Sequence, residues 1–378
     1  MGKIDQELDK EQEHVKIKNR SIASLMWIKF KRNKLASIGL GILVFLYIIT
    51  TFCEFFSPYS LQDTNKGFEN CPPTRIYFIS SEGKIHLRPF VYAYKRTLDL
   101  RNFRAYWTKD TNKKYPIYFF VNHGTKYRIL GILPLQSNLR LFNVKEGYIF
   151  LFGTDSWGRD IFSRVLYGGR VSLTIGWVGV LISLVLGVLI GAASGYLSGM
   201  FDIIIQRLIE VLISVPPLPL WLVLSAALPK EWNSIQVYFG IVIILSLISW
   251  TRLARIVRGM ILAHRESEYV LAARNLGANI WRIIRVHLVP NISSYLLVYL
   301  TLSIPAMIIA ETSLSFLGLG IRPPMTSWGS MLKEAQNVDN VIYHTWYLIP
   351  ALFVIIAVLA FNSVGDGVRD AADPFSKK

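Results

Sequence analysis

Six long stretches of the chain are almost free of charged residues. Each is long enough to cross a hydrocarbon core of roughly 30 Å as a helix that rises about 1.5 Å per residue. The stretches are Ala36 to Phe56, Val171 to Leu197, Val211 to Leu228, Ile235 to Thr251, Ile292 to Ala310 and Trp346 to Val364. Glu54 falls in the first stretch, near its outer edge. The pattern predicts an all-α polytopic membrane protein with six transmembrane helices and a small β-rich extracytoplasmic insertion between helices 1 and 2.

The composition agrees with lipid as the solvent of this chain. Of its 378 residues 52% are hydrophobic, and the mean hydropathy is +0.38. That is more apolar surface than one soluble domain of ordinary composition needs to bury. The first apolar run begins after about 35 residues and lacks a small-residue cleavage pattern, so it predicts an uncleaved span rather than a signal peptide.

The orientation follows from the basic residues that flank the spans, because short basic loops resist translocation. Seven basic residues precede or open the first span: Lys16, Lys18, Arg20, Lys29, Lys31, Arg32 and Lys34. The loop from Arg252 to Asn291 adds seven Arg against two acids, Glu266 and Glu268. Both termini are therefore expected in the cytoplasm. The formal charge of +16 has a membrane explanation, and no nucleic-acid partner is needed.

The chain divides by composition into segments that alternate between polar and apolar character. The predicted segments are a cytoplasmic tail and interfacial helix at 1–35, transmembrane helix 1 at 36–56, the extracytoplasmic insertion at 57–160, a five-helix core at 161–364 that contains a cytoplasmic loop at 252–291, and a cytoplasmic tail at 365–378. Within 21–35, Trp27 and Phe30 suit the headgroup level of a bilayer. A simple basic flank of the first span is the alternative reading of that segment.

The insertion is predicted to hold strands, because its apolar pieces are short and rich in Ile, Tyr, Phe and Val. The pieces are 75–79, 115–121, 127–133 and 148–152, with one helix near Leu98 to Trp107. Cys53 lies in the first span and Cys71 after it, which predicts neither a disulfide nor a metal site.

Glycine and proline mark special places within the spans. Four glycines recur at every fourth position of the second span: Gly187, Gly191, Gly195 and Gly199. They predict close helix packing, with a solute-facing role as the alternative. Broken backbone at membrane depth is tolerated where it lines a cavity, so Pro216, Pro217 and Pro305 are candidate pathway or gate residues. Glu311, an ionisable residue at a span end, is a further candidate.

Two charged groups near span ends are expected to pair within this chain. Arg207 is the predicted partner of Glu210, with solute contact as the alternative. Structural pairing is likewise favoured for Asp155, Arg159 and Asp160 outside the membrane, with solute binding as the alternative.

The segment from 265 to 291 carries the most specific pattern. One helical face is predicted from four residues at helical spacing: Tyr269, Ala272, Ala273 and Leu276. Ser267 is placed to cap this helix, with Glu268 in its first turn. Gly277 predicts a C-terminal break, and a second helix then leads to Pro290. The adjacent alanines leave room for another protein to approach the backbone, with helix packing within this chain as the alternative.

This pattern resembles the EAA loop of the permeases of ATP-binding-cassette (ABC) importers, and the match falls on Ala272, Ala273, Gly277 and Pro290. Leu271 stands at the acidic first position of the motif and His287 at an apolar one. The stretches at 153–176, 311–332 and 361–374 resemble the second permease of the dipeptide, oligopeptide and nickel importers. The resemblance covers 21–56 and 153–374, most of the chain.

The resemblance implies a non-catalytic membrane subunit in a bacterial or archaeal cell membrane. Its implied partners are a second permease, one or two ATPase subunits and an extracytoplasmic solute-binding protein, with ATP and Mg²⁺ bound by the ATPases and no cofactor on this chain. The implied coupling residues are Glu268, Ala272, Ala273, Arg274, Gly277 and Pro290. Consistently, the sequence lacks the GxxxxGK[ST], HExxH and GxSxG motifs.

Peptides are the expected solutes, with oligosaccharides or nickel chelates as alternatives. An autonomous channel or secondary carrier is the rival from another class, and an intramembrane protease is the enzyme rival. A carrier predicts an internal repeat around unwound spans, and a protease predicts paired polar groups within spans. Neither pattern is visible in the sequence. The insertion is expected to dock or shield the solute-binding protein, with a passive insertion as the alternative.

Overall fold

The computed structural model describes residues 22–99, 104–128 and 136–372. Its first helices are α1 (Ile22–Arg32), α2 (Lys34–Thr51) and the short α3 (Cys53–Phe56). The side chain of Asn33 caps α2 by accepting a hydrogen bond from the Ala36 amide at 3.2 Å. Trp27 is exposed, as an interfacial residue should be, whereas Phe30 is buried against Ala36 and Ala371. Phe30 therefore anchors α1 to the core, and its place at headgroup level stays a prediction.

Four strands follow α3 in the chain and form one antiparallel meander in the order β1 (Tyr77–Ile79), β2 (Ile85–Asp99), β3 (Arg104–Arg128) and β4 (Gln136–Val144). The predicted helix near Leu98 to Trp107 is wrong, because Leu98 pairs with Ala105 across β2 and β3. The segment 148–152 is not a strand, and most of 127–133 lies outside the described residues. In this stretch the spacing of apolar residues is compatible both with a helix and with the alternation of a strand, and the strand is the structure that forms.

The base of the sheet is held to the end of α3 by buried polar groups. Arg140 on β4 donates to the Ser57 carbonyl at 2.9 Å, and Asn143 donates to the Pro58 carbonyl at 3.2 Å. The Tyr59 hydroxyl accepts from the Ile149 amide at 3.0 Å. The sheet and the helical part thus share a hydrogen-bonded junction.

The remaining elements are mostly helical. They are α4 (Ile161–Leu197), α5 (Gly199–Ser214), α6 (Pro217–Ala226), α7 (Ser234–His264), α8 (Glu268–Asn275), α9 (Ile280–Arg282), a π-helix (Ile283–Leu288), α10 (Val289–Asn291), α11 (Ser293–Phe316), α12 (Trp328–Leu332), a 3₁₀ turn (Lys333–Gln336), α13 (Val338–Tyr343), a second 3₁₀ turn (Thr345–Leu348) and α14 (Ile349–Ala372).

Within the described residues, five helices are long and apolar enough to cross a membrane, and a bent pair makes up to six. The five are α2, α4, α7, α11 and the run Thr345–Ala372. The polytopic helical fold is thereby confirmed. Two helices outrun their predicted spans: α4 starts at Ile161 because Asp160 caps it, and α7 continues to His264. The predicted loop 252–291 is shortened accordingly.

The predicted third span, Val211 to Leu228, is not one continuous helix. Helices α5 and α6 meet there at 90°. Val215 takes an extended backbone because the ring of Pro216 disfavours helical geometry in the residue before it. The two prolines that follow therefore break the helix and turn the chain sharply.

The core is built around the packing of α4 against α7, with α11, α14 and α2 completing it. Its fully buried side chains include Leu173 and Ile175 of α4, Leu245 of α7 and Ile308 of α11. Trp328 of α12 is also fully buried, and its indole nitrogen donates to the Val165 carbonyl at 2.9 Å. Short helix α12 is thus part of the core rather than a surface loop.

Candidate functional site

Helix α8 ends in a tight hydrogen-bonded turn that depends on Gly277. The glycine has φ of +80°, and its amide donates to the Arg274 carbonyl at 3.0 Å. The next amide, of Ala278, donates to the Ala273 carbonyl at 3.1 Å. These two bonds form a Schellman motif, which requires the left-handed backbone that glycine adopts without strain. The predicted helix break at Gly277 is confirmed.

The N-terminus of α8 differs from the prediction. Ser267 occupies the N-cap position, but its side chain makes no capping bond to α8 and donates instead to the His264 carbonyl at 2.5 Å. The hydroxyl thus closes the end of α7 rather than opening the next helix. The second helical segment is capped by Asn279, which accepts from the Arg282 amide at 2.8 Å and was not singled out from the sequence.

The predicted face of α8 divides into an inner and an outer part. Ala273 is buried together with Val270, so the expectation that Ala273 faces a partner is wrong. Its small side chain lets α8 pack on its own chain. Ala272 remains exposed, and Leu276 is 88% exposed. Glu268, Arg274 and Pro290 are also exposed.

The outer part of this segment presents an unusual number of apolar side chains to the surroundings. They are Tyr269, Leu271, Leu276, Ile280 and Trp281, with exposures between 41 and 88%. We call these five residues, with Ala272, the outer face of the loop. An apolar patch of this kind on an otherwise charged loop is a candidate interaction surface.

The inner part of the segment is anchored in one apolar cluster. The cluster combines buried residues of α8, the π-helix and α7. They are Val270 and Ala273 of α8, Ile283, Ile284 and Leu288 of the π-helix, and Leu253, Val257 and Ile261 of α7. Asn291 adds a hydrogen bond to the Tyr269 hydroxyl at 3.2 Å. The loop is therefore packed onto α7 through this cluster.

A charged cluster ties α7 to the start of the bent pair just beside this loop. Arg258 of α7 holds Asp202 of α5 with two bonds of 2.5 Å, and Ser194 donates to the same carboxylate at 2.5 Å. Arg265 also donates to the Ser198 hydroxyl. We call the first of these pairs the Asp202 and Arg258 clamp. It was not identified from the sequence, because its partners lie 56 residues apart on different helices.

Three of the four predicted packing glycines lie where α4 meets α7. A Cβ atom at Gly191 would come 2.5 Å from the Ala254 carbonyl oxygen, and one at Gly195 would come 2.7 Å from that of Arg258. Gly187 faces Leu253 in the same way. Gly199 does not share this face: it has φ of +65° and opens α5. Its predicted packing role is therefore wrong.

The bend between α5 and α6 lines a cavity of about 280 Å³ that also borders α4, α7 and α11. Pro217 and Trp221 line it from the bent pair, and Arg252, Tyr299 and Met307 line it from the other helices. The indole nitrogen of Trp221 is buried without a hydrogen-bond partner among the described residues. The residues that line the cavity thus include a hydrogen-bond donor without a described partner, a cationic side chain and apolar side chains.

Two pathway candidates lie apart from the cavity. Glu311 is fully buried, accepts from the Ser315 hydroxyl at 2.6 Å and from Ser172 at 3.2 Å, and is absent from the cavity lining. These bonds link α11 to α4, and the role of Glu311 in a pathway or gate stays a prediction. Pro305 is buried within α11, where its neighbour Ala306 reaches the cavity. Pro216 stands at the bend itself.

The charged groups near span ends pair as predicted. Arg159 donates to Asp155 at 2.7 Å, and Arg207 bonds Glu210 at 2.8 Å. Asp160, by contrast, accepts hydrogen bonds from the amide and hydroxyl of Ser163, and its burial raises its pKa to about 7 because desolvation disfavours the charged form. Cys53 and Cys71 are both free and buried. Within 22–99, 104–128 and 136–372, no group of three or more His, Cys, Asp or Glu residues could hold a metal.

Comparison with known proteins decides the family. The sequence profile described as "Binding-protein-dependent transport system inner membrane component" matches residues 155–378. The profile described as "N-terminal TM domain of oligopeptide transport permease C" matches residues 21–73. The chain belongs to the family of binding-protein-dependent transport system inner membrane components. It is a permease subunit of an ABC transporter, a non-catalytic membrane component that works with other components of such a transporter.

Relatives of this permease match over most of the chain. The dipeptide transport system permease protein DppC of Bacillus subtilis (strain 168) is 32% identical over 373 residues, 98% of this chain and 91% of the relative. The oligopeptide transport system permease protein OppC of the same organism is 31% identical, covering 97% and 94%. The OppC protein of Haemophilus influenzae is 41% identical over 230 residues, 61% of this chain and 71% of the relative.

Proposed function

We propose that this permease imports peptides, forms half of the translocation path with a second permease, and takes its driving force from a separate ATPase through the outer face of the loop. The observation that carries the proposal is the exposure of apolar side chains on that face while its inner side is fixed to α7. An apolar surface on a rigid support is suited to dock into a groove of another protein. The relatives named for dipeptide and oligopeptide transport support peptides over oligosaccharides or nickel chelates.

The route of coupling follows from the contacts. Closure of the ATPase would pull on α8, and the apolar cluster would carry the movement into α7. The Asp202 and Arg258 clamp would then pass it to α5, whose bend with α6 lines the cavity. Such a chain of packed helices and paired charges has the contiguity that mechanical coupling requires. ATP and Mg²⁺ belong to the ATPase subunits in this proposal, and this chain binds no cofactor.

The test is co-purification of the ATPase with an exposed alanine changed to arginine. We expect Ala272→Arg to abolish ATPase binding and peptide uptake, because a large charged side chain would hold the groove away from the loop. Ala227→Arg is the matched control, since Ala227 is also exposed but lies in the turn after α6. Normal ATPase binding by Ala272→Arg would refute docking on this face.

The proposed topology places both termini and α8 in the cytoplasm of a bacterial or archaeal cell, with the β-sheet and the 317–344 segment outside. Cysteine labelling of intact cells tests it, because the native Cys53 and Cys71 are buried and give little background. Asp110→Cys in β3 should react with an impermeant reagent, and Asn275→Cys should react only after cell lysis. The reverse pattern would overturn the orientation.

The proposal also assigns an extracytoplasmic solute-binding protein to the sheet. The β1 and β2 edge exposes Ile79, Ile85 and Leu87, and Leu87 is fully exposed. Apolar side chains on such an edge favour a protein contact. We expect Ile85→Asp with Leu87→Asp to weaken binding of the solute-binding protein at least tenfold while ATPase co-purification stays normal. Unchanged binding would leave the sheet as a passive insertion.

A further inference from the structure

A second, larger pocket of about 700 Å³ opens near the start of α4, away from the cavity at the bend. Its wall comes from the chain after α3, from the first turn of α4 and from the segment that follows α11. Four basic side chains and one acid line it: Arg159, Arg164, Arg322, Lys333 and Glu334. In the proposed topology this pocket faces the outside of the cell.

The two arginines at the base of the pocket are held by carboxylates. Asp155, which is 1% exposed, bonds both Arg159 and Arg164. Glu334 lies 3.2 Å from Arg159 and 3.6 Å from Arg164. These four groups therefore neutralise one another and form a fixed base.

Beyond that base, the pocket keeps cationic groups and a donor in excess. Arg164 is 8% exposed, and its Nε atom is buried without a hydrogen-bond partner among the described residues. Among the described residues, no carboxylate lies within 4.0 Å of Arg322 or Lys333, and Arg322 donates to the Pro229 carbonyl at 3.3 Å. A buried guanidinium nitrogen without a hydrogen-bond partner raises the free energy of the folded protein. The two cations nearby attract an anion that can supply the missing acceptor.

Carboxylate is the anion that matches this arrangement, because a guanidinium binds planar oxygen pairs in its own plane. Beside the cations the pocket has apolar walls, which include Leu61, Ile321 and Met325. A pocket of this volume is in the range that holds a small organic ligand. The combination fits a carboxylate with an apolar side chain next to it.

We propose that this pocket binds the C-terminal carboxylate of the transported peptide on its way from the solute-binding protein to the membrane path. The inference rests on the proposed peptide import. Arg322 and Lys333 attract the carboxylate, the Nε–H of Arg164 donates a hydrogen bond to it, and the apolar wall receives the last side chain of the peptide. Asp155 and Glu334 act as positioning residues for the two arginines.

The test is equilibrium binding to the purified, detergent-solubilised importer without its solute-binding protein. The probes are an N-terminally fluorescent tri-leucine peptide with a free C-terminus and the same peptide as its C-terminal amide. We expect the wild type to bind the acid at least tenfold more tightly than the amide. The double variant Arg322→Gln with Lys333→Gln should lose about tenfold in affinity for the acid and keep its affinity for the amide.

Lys230→Gln is the control, because Lys230 is exposed and does not line the pocket. Equal binding of acid and amide by the wild type, or binding of neither, would overturn the inference. The inference would also be overturned if the double variant no longer bound the peptide-free solute-binding protein but still bound the acid more tightly than the amide. The pocket would then be a contact site for that protein. Uptake of tri-leucine by reconstituted importer with its solute-binding protein tests peptide import separately.

Discussion

The two ends of the membrane core differ in the kind of side chain that they expose and the kind that they bury. At the inner end of the proposed topology, the loop from Arg265 to Asn291 exposes the apolar side chains of its outer face and buries others, such as Ile284, against α7. At the outer end of that topology, the start of α4 buries charged groups and satisfies most of them internally, as Asp155 does with Arg159 and Arg164. An exposed apolar face is suited to a rigid protein partner, whereas a pocket with spare cationic donors is suited to a small anion.

Gly277→Val should have the largest effect at the inner end. Valine in the left-handed region would strain the turn by about 1–2 kcal/mol, and the Schellman bonds that aim α8 would be lost. We expect ATPase co-purification and transport to fall below detection while the protein remains in the membrane.

Gly259→Val is the matched control for that change. An added Cβ meets no atom within 4 Å at either glycine, but Gly259 lies in regular helix α7 and has no positive φ. Transport by Gly259→Val should stay within about twofold of the wild type. Equal losses in both variants would show that bulk, and not the backbone of the turn, is responsible.

Asp202→Ala should have an intermediate effect, because it breaks the proposed route between the loop and the bent pair. Removing one partner of a partly buried charged pair typically costs about 1–3 kcal/mol. We expect ATPase binding to persist while peptide uptake per ATP hydrolysed falls about tenfold in reconstituted vesicles.

The exposed pair of Arg207 and Glu210 provides the comparison for Asp202. Both of its side chains are more than half exposed, so the pair should contribute little. Glu210→Ala should therefore leave uptake per ATP unchanged. A wild-type coupling ratio in Asp202→Ala would remove the clamp from the coupling route.

Asp160→Asn should have the smallest effect on transport, and it concerns the pH dependence of stability at the outer end. A carboxyl whose pKa is raised to about 7 binds more protons in the folded than in the unfolded chain between about pH 4 and 7. Stability should therefore decrease as the pH rises through that range, by at most about 1.4 kcal/mol per unit.

The asparagine variant cannot ionise but keeps an oxygen to cap α4. The thermal midpoint of Asp160→Asn in detergent should thus fall less between pH 5 and pH 8 than that of the wild type. An identical fall in both proteins would show that Asp160 titrates at its ordinary pKa and that its burial has no such consequence.

The same contrast shows what could be predicted from the sequence. Long apolar runs revealed the helical membrane core because length alone decides whether a helix spans a bilayer. The Gly277 turn was found because positive φ has a strong residue preference. Both of these features are local, so a short stretch of chain contains the whole signal.

Features that depend on distant contacts were missed. The inward side of Ala273 is set by the cluster it shares with Leu253 and Ile284, and the Asp202 clamp joins separate helices. In the sheet, Leu98 and Ala105 fitted a helix until strand pairing was known. The bend at Pro216 was visible as a break, but its 90° angle was not.

Site-specific photo-crosslinking in the assembled importer tests the central claim most directly. A benzophenone amino acid would replace Leu276 on the outer face of the loop in one variant and Lys333 at the outer pocket in another. We predict that the probe at 276 crosslinks to the ATPase subunit and that the probe at 333 does not. Crosslinks from 276 only to lipid, or to the solute-binding protein, would contradict the assignment of this face to ATPase docking.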